Sequence, residues 1–273
     1  KSQKKEKYEV ETIIIDSGST DGTLSIAEEY GCRITFITKD NFTFGRSLNM
    51  GSDFANGDIL VYISGHCIPA NDSWLLNLIK PIENGSAGYT YGRQIGRDTT
   101  KFSEERIFEK YFPLESKLPQ KDFFCNNANS AIRRNIWRNF LFDETITGLE
   151  DMELAKRYYE DGGSIAYIAE ASVFHIHNET WTQIRRRYER ESIALQKIMP
   201  EVNIKFTDMI RYIWISIYSD AKIAASKKCF FQEILGIVKF RLAQYTGSYR
   251  GNHEQREISK KQKENYFYPT KKI

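Results

Sequence analysis

Cysteine is scarce: Cys32, Cys67, Cys125 and Cys229 are the four in 273 residues. They stand far apart with no Cys-x-x-Cys pair, which fits reduced thiols better than a disulfide framework. No apolar run approaches the roughly 18 residues of a membrane span, and no secretory signal is recognisable. The expectation is a soluble or peripheral protein of the cytosol, on the inner face of the membrane if peripheral. Internal repeats and low-complexity tracts are missing. A net charge of +3 is too small to call for nucleic acid, which is not expected as a partner. What is abundant is aromatic surface. Sixteen Tyr and 17 Phe suit stacking on sugars or residence at a membrane interface.

The organising stretch is Thr12–Thr23, TIIIDSGSTDGT. Its β-branched apolar start reads as a strand buried on both faces, the mark of a parallel sheet. The strand ends in Asp16, Ser17, Gly18, Ser19, Thr20, Asp21 and Gly22, all turn formers, and a helix opens near Thr23. Open α/β sheets bind ligands at such a carboxyl end. The two carboxylates suit hydrogen-bond donors such as a ribose or base edge, and the Gly/Ser turn admits a phosphate. A capped turn with no ligand is the plainer alternative.

Further strands are expected at 33–38, 59–64 and 88–94, and two short ones at 164–168 and 171–174. Helices are expected at 44–56, from Trp74, and from Glu150. The fold class is thus α/β with a mostly parallel central sheet flanked by helices. From Thr180 the composition turns helical, basic and aromatic-rich, so the division falls into 1–180, an α/β domain, and 181–273, a helical region. Four strand-end groups should share one rim: Asp16 with Asp21, Arg46, the Ser64-Gly65-His66 turn, and Glu150-Asp151 with His175 or His177. Carboxylates, an arginine and histidines gathered there suit a diphosphate, a divalent metal and a proton acceptor.

Taken in order, TIIIDSGSTDGT, FGRSLNMG, GDILVYISGHCIP, NNANSAIRR, FDETITGLEDMELAKR and ASVFHIH resemble family 2 of the GT-A glycosyltransferases, over about residues 9–190. The family's first strand has no counterpart ahead of Lys1. The resemblance implies a GT-A fold and an inverting transfer from a nucleotide-sugar donor to a hydroxyl of a polysaccharide or lipid-linked glycan, as in capsule or lipopolysaccharide synthesis. It places Asp16, Ser17, Gly18 and Asp21 at the nucleotide, Arg46 near the base or diphosphate, and Asn129 in the donor-sugar pocket. Asp151, paired with Glu150, becomes the general base, since an attacking alcohol must lose its proton. The plainer role for Asp151 is a carboxylate at a helix N-terminus.

One departure stands out: Ser64-Gly65-His66 replaces the family's Asp-x-Asp. Mg²⁺ prefers oxygen ligands, so His66, with His175, is expected to hold Mn²⁺ or another borderline metal. Diphosphate stabilisation by protein cations without metal is the alternative. Arg93, His177 and Arg186 are candidates for the acceptor or diphosphate. The helical region reads either as a membrane-docking surface or as a homodimer contact. UDP-sugar is the default donor and a dTDP-deoxysugar such as dTDP-rhamnose its rival. A non-catalytic sugar-nucleotide-binding scaffold is the competing class, and a nucleotidyltransferase on a related fold is a weaker third.

Overall fold

A computed structural model describes residues 3–4, 8–253 and 266. The basic residues Arg256, Lys260, Lys261, Lys263, Lys271 and Lys272 of the helical region lie outside them. The chain forms two compact units, Lys1–Gln94 with Leu114–Ile146 and Glu150–Phe174, and Ile95–Pro113 with Thr147–Leu149 and His175–Ile273. A division by composition at 180 gives the first part several segments that the second unit recruits.

In the first unit the apolar run of the organising stretch is β1 (Ile13–Asp16), followed by α1 (Thr23–Glu29). It pairs in parallel with β2 (Arg33–Phe36), Ile14 opposite Ile34. A second sheet has the order β3-β6-β5-β7-β4, built from β3 (Ile59–Ile63), β4 (Cys67–Pro69), β5 (Tyr89–Ile95), β6 (Asn129–Arg133) and β7 (Ile165–His175). β6 runs antiparallel to both neighbours, with Val61 and Thr90 each opposite Ala131. The β-branched and aromatic content of these segments suits two-sided burial. Helices α2 (Phe44–Phe54), α3 (Trp74–Glu83), α5 (Arg134–Phe140) and α6 (Glu150–Glu160) complete the unit. The apolar face of α3 (Leu75, Leu78, Ile79, Ile82) packs on Ala131, Ala166 and Val173 to form the core. The segment expected to hold two short strands is the single 11-residue β7. Glu170, which reads as a break, is its one exposed residue. β4 follows a turn too tight for periodicity to reveal, closed by Cys67 N–H to the Ser64 carbonyl at 2.9 Å.

The second unit is helical: α4 (Phe102–Tyr111), α7 (Trp181–Ile198), α8 (Phe206–Ser226) and α9 (Phe230–Asn252). Thr180 and Gln183 form a reciprocal capping box at the start of α7. α7 and α9 meet closely because Gly247 and Gly251 carry no side chain. A Cβ on either would collide with the Arg185 or Glu189 carbonyl. Ile184, Phe240 and Ala243 fill one part of the core, and Phe102, Ala224 and Ile237 another. Between them lies a buried ion pair. Arg241 donates to both Asp220 oxygens, at 2.8 and 3.0 Å, and Ser103 Oγ adds a hydrogen bond of 2.6 Å to the same carboxylate.

Candidate active site

Asp16 is buried at the end of β1. Its carboxylate accepts from the N–H groups of Gly18 at 2.7 Å and Ser19 at 3.0 Å, with Gly18 at φ 101° closing the turn. A hydrogen bond from the Ser19 side chain, then these two N–H groups, outweigh burial and hold the carboxyl below the ordinary range. The turn thus presents a carboxylate that stays ionised. Asp21 is exposed and accepts from Thr23 N–H and Oγ1, at 3.3 and 2.6 Å, and these bonds lower its pKa as well.

The Phe44–Asn49 motif grips the 142–144 segment. Arg46 Nε donates to Glu144 at 2.7 Å and Nη1 to the Asn41 carbonyl at 3.0 Å. Asn49 donates to Phe142 O and Glu144, and accepts from Trp137 Nε1 and Phe142 N–H. The arginine expected at a base or diphosphate is therefore engaged by a carboxylate that the sequence reading did not pick out. Asn129, expected in the sugar pocket, is fully buried. Its Oδ1 accepts from Trp74 Nε1 at 2.8 Å, and its Nδ2 donates to Ala171 O at 2.7 Å and Arg93 O at 3.2 Å. An amide so committed ties β6 to α3, β5 and β7 and has no donor left for a sugar.

Asp151 lies in the first turn of α6 and is buried, 7% exposed. Oδ2 accepts the Asn127 N–H and Oδ1 the Met152 N–H, each at 2.7 Å. Leu149, two residues earlier, has φ 57°, a strained conformation for a branched residue. Asn127 is the residue the sequence reading missed. Its Oδ1 accepts from Tyr89 Oη and Ser130 Oγ, both at 2.6 Å, while its buried Nδ2 has no partner among the described residues. Buried polar groups are ordinarily paired, and Nδ2 is one of six buried side-chain atoms without a partner among the described residues. The signal was the run of asparagines, Asn126, Asn127 and Asn129, of which family likeness singled out only the last. Arg93, on β5, likewise has a buried Nε without a partner among the described residues. The Ser64-Gly65-His66 turn leaves His66 exposed. A Cβ on Gly65 would meet nothing within 4 Å.

In the second unit the buried His175 ring stacks on Phe108, centroids 5.7 Å apart, and lies 4.1 Å from the His177 ring. His177 Nδ1 contacts Glu104 Oε1 at 2.8 Å. A carboxylate only accepts, so Nδ1 carries a proton. Arg187 bridges Glu104 and Glu179, each at 2.8 Å. Burial alone would raise the Glu104 carboxyl, but the His177 hydrogen bond and the Arg187 charge lower it further and win. Adjacent imidazoles, one backed by a carboxylate, form a donor set that fits a borderline divalent metal. Arg186 is half-buried on α7, beside this cluster in sequence.

A sequence model for the family described as "Glycosyl transferase family 2" matches residues 1–141. An O-antigen chain rhamnosyltransferase of Salmonella anatum is 30% identical over 198 residues, 68% of this chain and 62% of that protein. A second, from Salmonella typhimurium, is 27% identical over 66% of this chain and 62% of its own length. The chain thus spans a little under two thirds of these relatives. Among solved structures, a mannosyltransferase from Pyrobaculum calidifontis with GDP-Man and Mn²⁺ superposes with a TM-score of 0.61 at 12% identity, covering 90% of this chain and 79% of that one. Glucosyl-3-phosphoglycerate synthase from Mycobacterium tuberculosis gives 0.52 at 18% identity, with 70% and 69% covered. Identities this low carry the fold alone, and that fold is GT-A.

Proposed function

Because the chain belongs to glycosyl transferase family 2, we propose that it transfers a sugar from a nucleoside-diphosphate donor to a hydroxyl of a growing surface glycan, with inversion. The names of the relatives favour a deoxysugar donor of the dTDP-rhamnose kind over a UDP-hexose. The observation that supports the reading is Asp151, buried and held by two N–H groups, one of them from Asn127, whose Nδ2 has no partner among the described residues. In the transfer, the acceptor oxygen bonds to the anomeric carbon as the bond from that carbon to the diphosphate oxygen breaks. The acceptor proton passes to Asp151, whose fixed orientation lowers the cost of aligning the base. Asn127 Nδ2 donates to a substrate oxygen. Asp16, kept ionised, accepts from the donor's ribose or base. Arg93 is offered for the diphosphate.

A divalent cation, when bound, offsets charge developing on the leaving diphosphate. His175 and His177 are the residues proposed to hold it, with Mn²⁺ preferred to Mg²⁺ because the ligands are imidazoles. The reaction is proposed to run where nucleotide sugars are made, on the cytoplasmic side.

The test is transfer from a panel of dTDP-, UDP- and GDP-sugars to a glycan acceptor, with donor affinity measured in parallel by calorimetry. Asp151→Asn is expected to lower transfer about a thousandfold with donor affinity intact. Loss of donor binding would remove Asp151 from the role of base. His175→Ala is expected to weaken Mn²⁺ binding, and an unchanged metal response would assign the diphosphate to protein cations. Donor binding without transfer or hydrolysis in any condition would favour a sugar-nucleotide-binding scaffold, the reading that the missing Asp-x-Asp keeps open.

A further inference from the structure

The second unit turns an unusual face to solvent. Along α8 the apolar positions Ile210, Trp214 and Tyr218 recur every fourth residue, and all are exposed, Trp214 by 68% and Tyr218 by 73%. Every fourth residue falls on one helix face. An adjoining face carries Met209, Ile213, Asp220 and Ala224 and is buried. α9 repeats the arrangement: Ile237, Phe240 and Ala243 face inward, while Phe231, at 93%, and Leu235, at 71%, are exposed with Leu242. Scattered exposed leucines are ordinary, but aromatic stripes on two packed helices mark an interaction surface.

The exposed charge on α8 and α9 themselves has one sign, while Glu109 of α4 pairs with Lys227 and Glu189 of α7 with Arg250. Between Phe206 and His253 the exposed charged residues are Arg211, Lys222, Lys227, Lys228, Lys239 and Arg250, and no acid there is exposed. Asp220 is buried against Arg241, Asp208 is half-buried beside Arg211, and Glu233 is half-buried. A second copy seated on the same face would bring like charges together. No helix among the described residues is long and apolar enough to cross a bilayer. We propose that the α8–α9 hairpin is a docking surface for an anionic lipid bilayer. Trp214, Tyr218, Phe231 and Leu235 enter the interface, and Lys222, Lys228 and Lys239 meet the headgroups. The surface is separate from the chemistry assigned above, so it stands or falls without it.

The experiment is co-flotation of the full chain with vesicles of equimolar phosphatidylglycerol and phosphatidylcholine, against vesicles of phosphatidylcholine alone. Binding is expected to the first only and to weaken as salt screens the headgroups. Replacing Trp214, Phe231 and Leu235 together by Ser is expected to lower partitioning about tenfold or more while circular dichroism stays unchanged, because the three side chains touch little of the core. K222E with K239E is expected to remove the salt-sensitive part. Absence of binding to the anionic vesicles by the folded chain overturns the proposal. So does a dimer, detected by light scattering, that the triple substitution dissolves while vesicle binding is unaffected.

Discussion

The two units solve the same problem, holding polar groups in a dry interior, with different chemistry. The first relies largely on neutral amides and hydroxyls. Asn49, Asn127 and Asn129 each reach across elements, and Tyr91 Oη donates to Gln120 at 2.8 Å. The second relies on ions: Arg241 with Asp220, and Arg187 with Glu104 and Glu179. A buried amide that loses a partner leaves one unsatisfied group, whereas a buried ion that loses its partner leaves an uncompensated charge. The helical unit is therefore the one whose integrity should depend most on any single side chain.

The sharpest way to break this contrast is Asp220→Ala. Arg241 is only 7% exposed at its side chain, so stranding it is expected to cost about 3–5 kcal/mol. Hydrogen exchange should place the loss in α8 and α9. Asn129→Ala in the first unit strands Trp74 Nε1–H and the Ala171 carbonyl, with an expected cost of about 2 kcal/mol. Exchange should rise in β6 and β7, and the cost should match at neutral and mildly acid pH. If the two variants lose equal stability, the contrast fails.

A smaller, pH-gated effect is expected from Glu104. Its folded pKa lies below its unfolded one, so its contribution is full above the ordinary carboxylate range and is lost as pH falls through the lowered value. Glu104→Gln should flatten the acid limb of stability measured by denaturant titration, and an unchanged limb would assign acid loss to other carboxylates. Least is expected from Glu144→Gln. Glu144 and Arg46 keep 35% and 40% of their side chains exposed, so the pair is worth under about 1 kcal/mol.

Much of this architecture was readable in the residues. The apolar run before Asp16, the start of α6 at Glu150 and the composition change toward the helical region each leave a local periodic or compositional trace. Asn129 and Arg46 were noticed for another reason, as members of motifs. A motif shows that a residue matters and not whether it faces a ligand or the protein, and partners such as Ala171, 42 residues away from Asn129, are invisible to spacing. Asn127 escaped because a short run of amides has no period to show which member faces the interior. The Glu104–His177 pair escaped because its members are 73 residues apart. The exposed stripes on α8 and α9 were legible as amphipathic helices, but which apolar positions face the core depends on Gly247 and Gly251 drawing α7 in.

That close seam has a consequence for the protein's mutational record. In a saturation library screened for folded protein, α9 should read as a barcode with a period of four. Gly247 and Gly251 would tolerate almost nothing larger, because the carbonyls of Arg185 and Glu189 occupy the room, and Ala243 little, because it packs in the core with Ile184 and Phe240. Phe231, Leu235 and Leu242 would accept nearly any polar residue. Repeated in living cells under selection for the surface glycan, the same library would register a second set of bars at just those permissive positions, so the difference between the two screens would map the docking face without any reagent touching it.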